Sequence, residues 1–162
     1  SPIHGGSIIG FATHIGRHPR SDRLAALLHE EELQGVNTKA AYQRLAVRAQ
    51  KMKEGNLAYL HEKKADGKKI FGMGAPVKGN TLLNYFGIGA NLLDCLVEKN
   101  SLRKGMYSPG MHLPIVLEDE ITSPPDVYYV LAWNFKKEIL ENNQALLKQG
   151  VEFYFPIDPL HN

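Results

Sequence analysis

Lys78, Gly79, Asn80 and Thr81 follow directly on a glycine-broken apolar run, Gly72-Met-Gly-Ala-Pro76. An ammonium group, a backbone without Cβ and two short hydrogen-bonding side chains in sequence are the materials of an anion site. Backbone N–H groups at a helix start and the positive end of its dipole both favour negative charge. Phosphate or diphosphate binding is the chemistry such a segment supports. Two stricter motifs are not met. The dinucleotide fingerprint G-x-G-x-x-G needs a glycine where Val77 stands, and the phosphate loop needs G-K-[ST], whereas Lys78 here precedes Gly79. The plain alternative is a tight strand-to-helix turn whose small residues serve packing only.

The elements that must position these residues lie on either side. Ile70, Phe71 and Met73 form a short apolar run bounded by glycines, which predicts a strand. Pro76 biases Ala75 toward an extended conformation. Leu82, Leu83, Tyr85 and Phe86 then recur at helical spacing until Gly87 or Gly89. The helix begins either at Pro76 or with Asn80 as its cap; the helix-weakening Gly79 favours Asn80.

Downstream, residues 92–98 (LLDCLVE) predict a second strand ending at Glu98. An acid near that place hydrogen-bonds a ribose in dinucleotide folds, but capping of the following loop is the favoured role here. Residues 100–113 form a long irregular connection holding Tyr107, Pro109, Gly110 and His112. His112 has no carboxylate close by in sequence and reads as a structural hydrogen-bonding group. Residues 114–117 are a short apolar piece. Residues 127–133 (VYYVLAW) are the strongest strand, ending at Trp133, with Asn134 placed to cap a helix over 135–149. Gly150 stops that helix and residues 151–156 give the last strand. Upstream, His4-Gly5-Gly6 reads as a flexible entry and residues 7–15 as a strand. A short helix with Asp22 as cap closes at Gly35, and Asn37 or Thr38 caps a long helix running to about Asp66, with one apolar stripe and a solvated basic face.

Strands alternating with helices predict an α/β, Rossmann-like, mostly parallel sheet with helices on both faces, preceded by a strand and a long helix. One domain is expected, with residues 1–66 as an N-terminal strand and helices and residues 67–162 as the Rossmann-like core. Ligands of such sheets lie beyond the carboxyl ends of the strands, where the 74–81 turn, the 98–112 loop and Trp133-Asn134 converge.

At 162 residues the chain can bury roughly 68–70% of its unfolded surface. Nineteen basic and seventeen acidic residues nearly cancel, which gives no argument for a nucleic acid or a membrane surface as partner. The single cysteine, Cys95, has no internal disulfide partner and reads as a core thiol; no Cys/His cluster has zinc-site spacing. No apolar run approaches the ~20 residues of a membrane helix, and no secretory signal is present, so a cytoplasmic location is expected. The chain opens at Ser1, not methionine, which suggests a piece of a longer polypeptide.

The run Gly72-Met-Gly-Ala-Pro-Val-Lys-Gly-Asn-Thr-Leu-Leu-Asn84 resembles the hallmark of the C-terminal domain of sugar C-methyltransferases. Tyr107-Ser-Pro-Gly-Met-His-Leu-Pro-Ile115 and Ala132-Trp-Asn-Phe-Lys136 are similar to its later segments, and Pro2-Ile-His-Gly-Gly-Ser7 to its opening boundary. The resemblance implies a parent enzyme with a zinc-binding N-terminal domain and a central S-adenosylmethionine domain ahead of a Rossmann-like one. It implies methyl transfer to carbon 3 of a nucleotide-linked (dTDP-type) 4-keto-deoxysugar, in which a proton is removed beside the ketone and the enolate attacks the methyl sulfonium. The cofactor site and the general base belong to the earlier domains, so no catalytic residue, no metal and no bound cofactor are expected in this chain. A substrate-binding role follows for Gly74, Lys78, Gly79, Asn80, Thr81, Tyr107, His112, Trp133 and Asn134. Lys78 and the amides around residues 79–81 would hold the diphosphate, and Tyr107, His112 or Trp133 would meet the sugar or base. Two alternatives stay open: a stand-alone nucleotide- or coenzyme-binding enzyme, and a structural or oligomerisation module with no ligand. The oligomeric state is open as well.

Overall fold

The chain divides into two compact units, Ser1–Lys51 and Met52–Asn162. The computed structural model describes residues 7–157. The 4–6 glycine entry and nearly all of the 2–7 motif therefore lie outside the described residues.

In the first unit, the strand expected over residues 7–15 is not formed; residues 7–14 have no regular structure. Apolar composition alone does not make a strand, which needs a neighbour for its N–H and C=O groups, and none of the described strands lies beside it. Helix α1 (Asp22–Gln34) is capped by Ser21, whose hydroxyl accepts from Leu24 N at 3.3 Å; Asp22 sits in the first turn instead of at the cap. Gly35 ends α1 in the left-handed conformation. Of the two candidates for capping helix α2 (Lys39–Ala65), Thr38 does so, accepting from Ala41 N at 3.3 Å.

The second unit carries the sheet. Strands β1 (Ile70–Met73), β2 (Cys95–Glu98), β3 (Ile115–Leu117), β4 (Val127–Val130) and β5 (Glu152–Tyr154) are all parallel, in the order β3-β2-β1-β4-β5. Residues 92–94, expected in β2, form the turn before it, and Leu92 and Leu93 are buried there. Helix α3 (Val77–Phe86) links β1 to β2. The single helix expected over 135–149 is broken: a 3-10 turn over Trp133–Phe135 precedes α4 (Lys136–Asn142), and α5 (Gln144–Lys148) follows. Asn134 thus lies inside the 3-10 turn and caps no helix. The break falls at Asn143, whose side chain donates to the Ile139 carbonyl at 2.7 Å, the local competition that makes asparagine a poor helix-interior residue.

Alternation along the strands divides the core. Ile70, Leu96, Val127 and Tyr129 face the side covered by α3 (Leu82, Leu83, Phe86) and by the later part of α2 (Leu60). Phe71, Cys95, Val97, Tyr128 and Val130 face the side of Ile139 and Leu146 of α4 and α5. Cys95 is a core thiol, and burial pushes it up to about 11. No helix among the described residues is long and apolar enough to cross a membrane, and no three or more His, Cys, Asp or Glu side chains there are grouped to hold a metal.

Two polar ties fasten α2 to the sheet. The fully buried Tyr129 hydroxyl donates to Asn56 Oδ1 at 2.8 Å, and Asn56 Nδ2 donates to the carbonyls of Met52 (2.8 Å) and Pro156 (3.2 Å). Glu152 accepts from Tyr59 Oη and Lys63 Nζ, each at 2.7 Å. Burial raises the Glu152 carboxyl, but these two donors more than offset it and hold it below the ordinary glutamate range.

Tyr129→Phe strands Asn56 Oδ1 in the core without a donor and is expected to cost about 1–3 kcal/mol, read as a lower denaturant midpoint at unchanged slope. Glu152 has a depressed folded pKa, so its contribution is complete above the unfolded value and is lost as pH falls through the folded one. Between about pH 5 and pH 3 the Tm of the wild-type chain should fall more steeply than that of Glu152→Gln. Parallel Tm–pH curves for the two chains would remove the tie from the stability account.

Candidate functional site

The strand order reverses between β1 and β4: the chain proceeds from β1 through β2 to β3 on one side and from β4 to β5 on the other. Open parallel sheets leave a crevice at the carboxyl ends of the two strands flanking that reversal. Here those ends lead into Gly74 and Leu131. Gly74 takes φ 82°, a conformation suited to glycine, and its N–H donates to Val97 O at 2.7 Å. Leu131 N donates to Met73 O at 3.0 Å, which continues the β1–β4 ladder past the strands.

Helix α3 starts at Val77, with Pro76 as an extended cap residue that makes no side-chain cap bond. Asn80 is therefore not the cap: its N–H already donates to Pro76 O at 3.0 Å. The amides without an intrahelical acceptor are those of Val77, Lys78 and Gly79, a shift from the 79–81 group expected. The sequence argument placed too much weight on the propensity cost of Gly79. A Cβ at that residue would sit 2.8 Å from Leu131 Cβ, so glycine lets the first turn of α3 lie against the exit of β4. In the dinucleotide fingerprint the third glycine serves close helix–strand packing; in this chain Gly79 performs that task, and Val77, in the fingerprint position, is 83% exposed.

Lys78 extends from this turn with Nζ 5.1 Å from the centroid of the Trp133 ring. Burial lowers its pKa from the ordinary lysine value. Trp133 is itself core, 8% exposed, and supports the ammonium from below. Gly74, Lys78, Gly79 and Trp133 thus lie at the carboxyl edge where the strand order reverses, with Asn134 in the same 3-10 turn as Trp133.

Asn80 and Thr81 face a different space. With Asn84, Tyr85, Pro109 and Gly110 they line an open groove of about 630 Å³. Asn84 Nδ2 donates to Asn80 O (2.8 Å) and Pro109 O (2.9 Å), and Gly110, at φ 83°, leaves no room for a Cβ against Asn84 Oδ1. The long loop is thereby seated on α3. Asn80 Oδ1 is buried and has no hydrogen-bond partner among the described residues. Tyr107 pairs through its backbone with Pro114 in an isolated bridge, and its ring is 63% exposed. His112 adopts φ 51°, with its N–H on Ser108 O at 2.9 Å. Neither Tyr107 nor His112 is among the residues lining that groove.

Glu98 acts as the loop cap expected of it. Its Oε1 accepts from Lys99 N (2.8 Å) and Asn100 N (3.2 Å), and its Oε2 from Ala75 N (3.2 Å) and Arg103 Nη1 (3.1 Å). Arg103 Nη1 also donates to Ala75 O. The pair grips both backbone polar groups of Ala75 and so fixes the turn between β1 and α3. Arg103, Asn84 and the buried Ser108, whose Oγ accepts from Leu113 N at 3.0 Å, are positioning residues that sequence reasoning missed. The opposite charges of Glu98 and Arg103, five residues apart at the carboxyl edge, were the one available signal.

Comparison with known proteins shows the family of the chain. A family model for the C-methyltransferase C-terminal domain matches residues 2–158. The curated C-methyltransferase NovU of Streptomyces niveus is 33% identical over 157 residues, covering 96% of this chain and 37% of that protein. The chain thus spans little more than a third of the length of the curated relative it matches. With a match over nearly its whole length, the chain belongs to the C-methyltransferase C-terminal domain family.

Proposed function

We propose that this chain is the substrate-binding C-terminal part of a cytoplasmic, S-adenosylmethionine-dependent C-methyltransferase whose acceptor is a nucleotide-linked 4-keto-deoxysugar. The observation that carries the reading is the start of α3 at the carboxyl edge where the strand order reverses: the amides of Val77, Lys78 and Gly79 have no intrahelical acceptor, and the Lys78 ammonium lies over Trp133 on the same edge. A cation and a helix start together favour a diphosphate, through charge-assisted hydrogen bonds and the dipole. The groove of Asn80, Thr81, Asn84 and Tyr85 offers amide, hydroxyl and aromatic groups of the kind that take a sugar or base.

The methyl donor belongs to the preceding part of the parent chain in this reading. A bound nucleoside cofactor would need a free acid at the end of β2 for its ribose, and both Glu98 oxygens are engaged by backbone N–H groups and Arg103. The donor supplies an electrophilic methyl group; this chain's residues bind and orient the acceptor's anionic end, leaving the ketone for groups elsewhere to deprotonate.

NMR titration of the chain with a dTDP-sugar should shift the amides of Val77, Lys78 and Gly79. Lys78→Ala should weaken that binding about tenfold, the worth of one charge-assisted contact. Absence of any response at millimolar nucleotide-sugar would overturn the reading, and a response to S-adenosylmethionine alone would favour a free-standing coenzyme-binding enzyme. Gly79→Ala tests the seating of α3. The new methyl group meets Leu131 Cβ, so a loss of about 1–3 kcal/mol is expected from overpacking in spite of the better helix propensity of alanine. A raised Tm in that variant would show that the first turn is free to move.

A further inference from the structure

The groove on the outer side of α3 lies wholly within the second unit. Asn80, Thr81, Asn84 and Tyr85 recur at i, i+1, i+4 and i+5, on the side of the helix away from the buried Leu82, Leu83 and Phe86. Pro109 and Gly110 complete its lining, and no charged side chain takes part in it. The hydrogen-bonding groups of this neutral groove are biased to one sense. Both N–H groups of the Asn84 amide are committed, to Asn80 O and to Pro109 O. Asn84 Oδ1 occupies the space that a Cβ at Gly110 would take, and it accepts no hydrogen bond from the described residues. The Thr81 hydroxyl donates to Val77 O at 3.3 Å, which leaves its oxygen able to accept. Asn80 Oδ1 is the one buried side-chain polar atom among the described residues that has no partner. Three acceptors thus line the groove without a donor for any of them.

A buried acceptor left unpaired is costly, so the groove suits a ligand that brings N–H groups to it. A 4-keto-deoxysugar has few donors to offer. A base with a ring N–H carries one in a fixed plane, and every base has a face to stack on an aromatic ring. Tyr85 supplies that ring. Lys53 holds the residue in place, with Nζ donating to Tyr85 O at 3.0 Å and lying 5.5 Å from the ring centroid. From Val77 to Tyr85 the helix rises about 12 Å, which a nucleoside spans from a phosphate held at the helix start.

We propose that this groove is the nucleobase subsite and that it selects a base with a ring N–H, of the thymine, uracil or guanine type. Cytosine and adenine present a bare ring nitrogen there, an acceptor facing acceptors, which a site built for a donor rejects. The inference rests on the nucleotide reading above and adds an orientation to it. The base lies along α3 toward Asn84 and Tyr85, so the sugar lies beyond the helix start, toward Trp133 and Asn134.

NMR titration of the chain with dTDP, UDP and GDP, against CDP, ADP and inorganic pyrophosphate, tests it. The three nucleotides with a ring N–H should bind at least about tenfold more tightly than the other three ligands and shift the side-chain amide signals of Asn80 and Asn84. Methylation of dTDP at N3 should bring it down to the level of CDP. Tyr85→Leu should weaken dTDP about tenfold and leave pyrophosphate unchanged. Asn80→Ala should weaken dTDP while raising the Tm of the free chain, because the unpaired acceptor leaves with the side chain. A lowered Tm with unchanged affinity in that variant makes Asn80 a packing residue and overturns the proposal. Equal binding of all five nucleotides, with the amides of residues 77–79 shifting, overturns the base subsite and leaves the diphosphate reading in place. No shift with any ligand overturns both.

Discussion

The contact of Gly79 with Leu131 is the constraint on which the site depends. It sets the first turn of α3 directly against the exit of β4, so that the start of the helix opens onto the gap where the strand order reverses. Gly72 makes the matching concession one layer below: a Cβ there would collide with the Leu96 side chain, 2.4 Å away. The absent side chain of Gly79 therefore lets helix and sheet approach more closely than ordinary residues allow, while that of Gly72 makes room for Leu96 on the neighbouring strand. The unpaired amides of Val77, Lys78 and Gly79 are a consequence of that approach, since the same turn that packs on Leu131 has no residue before it able to cap it with a side chain.

Packing alone does not aim those amides. The Ala75 peptide is held by Glu98 at its N–H and by Arg103 at its carbonyl, so the end of β2 dictates the course of the chain leaving β1. Asn84 does the same for the far side of the helix, bonding Pro109 and seating the loop that carries Tyr107 and His112. The division is consistent: close apolar contact sets distance, and hydrogen bonds to backbone groups set direction. Buried backbone groups left unpaired are costly, which gives each of these ties a structural reason apart from any ligand.

How much of this was legible follows from which interactions are local. The strand β1, the helix after it and the strong strand β4 are written as short apolar runs and helical spacing punctuated by glycine, and the parallel α/β sheet follows from their alternation. The shared edge of Gly74, Lys78 and Trp133 follows from the same topology. Three readings failed, each for its own physical reason. Gly79 looked like a residue to keep out of a helix, until Leu131 is seen beside it. Residues 7–15 have strand composition but no neighbouring strand. The 135–149 helix breaks at Asn143, where a side chain bonds to its own backbone. For Arg103 the charge opposite to Glu98 was the only signal, and its grip on the backbone exists only once Ala75 is placed next to it.

The groups gathered at the crevice also set a limit on the chemistry. Lys78 has its ammonium over Trp133, Glu98 has both oxygens engaged, and the Asn80–Tyr85 groove contains amides, a hydroxyl and a phenol ring. Under the proposed function these groups hold charge and hydrogen-bond the acceptor; a proton removed from carbon needs a base held within reach of it and poised near the working pH. Enolisation beside a ketone calls in addition for a donor to the developing oxyanion. A site rich in binding groups, with its acid committed to backbone N–H groups, suits the half of an enzyme that holds its acceptor by the anionic end. Under the function proposed above, the binding energy of the nucleotide portion would be expressed at a distance, as orientation of the sugar toward groups supplied from outside.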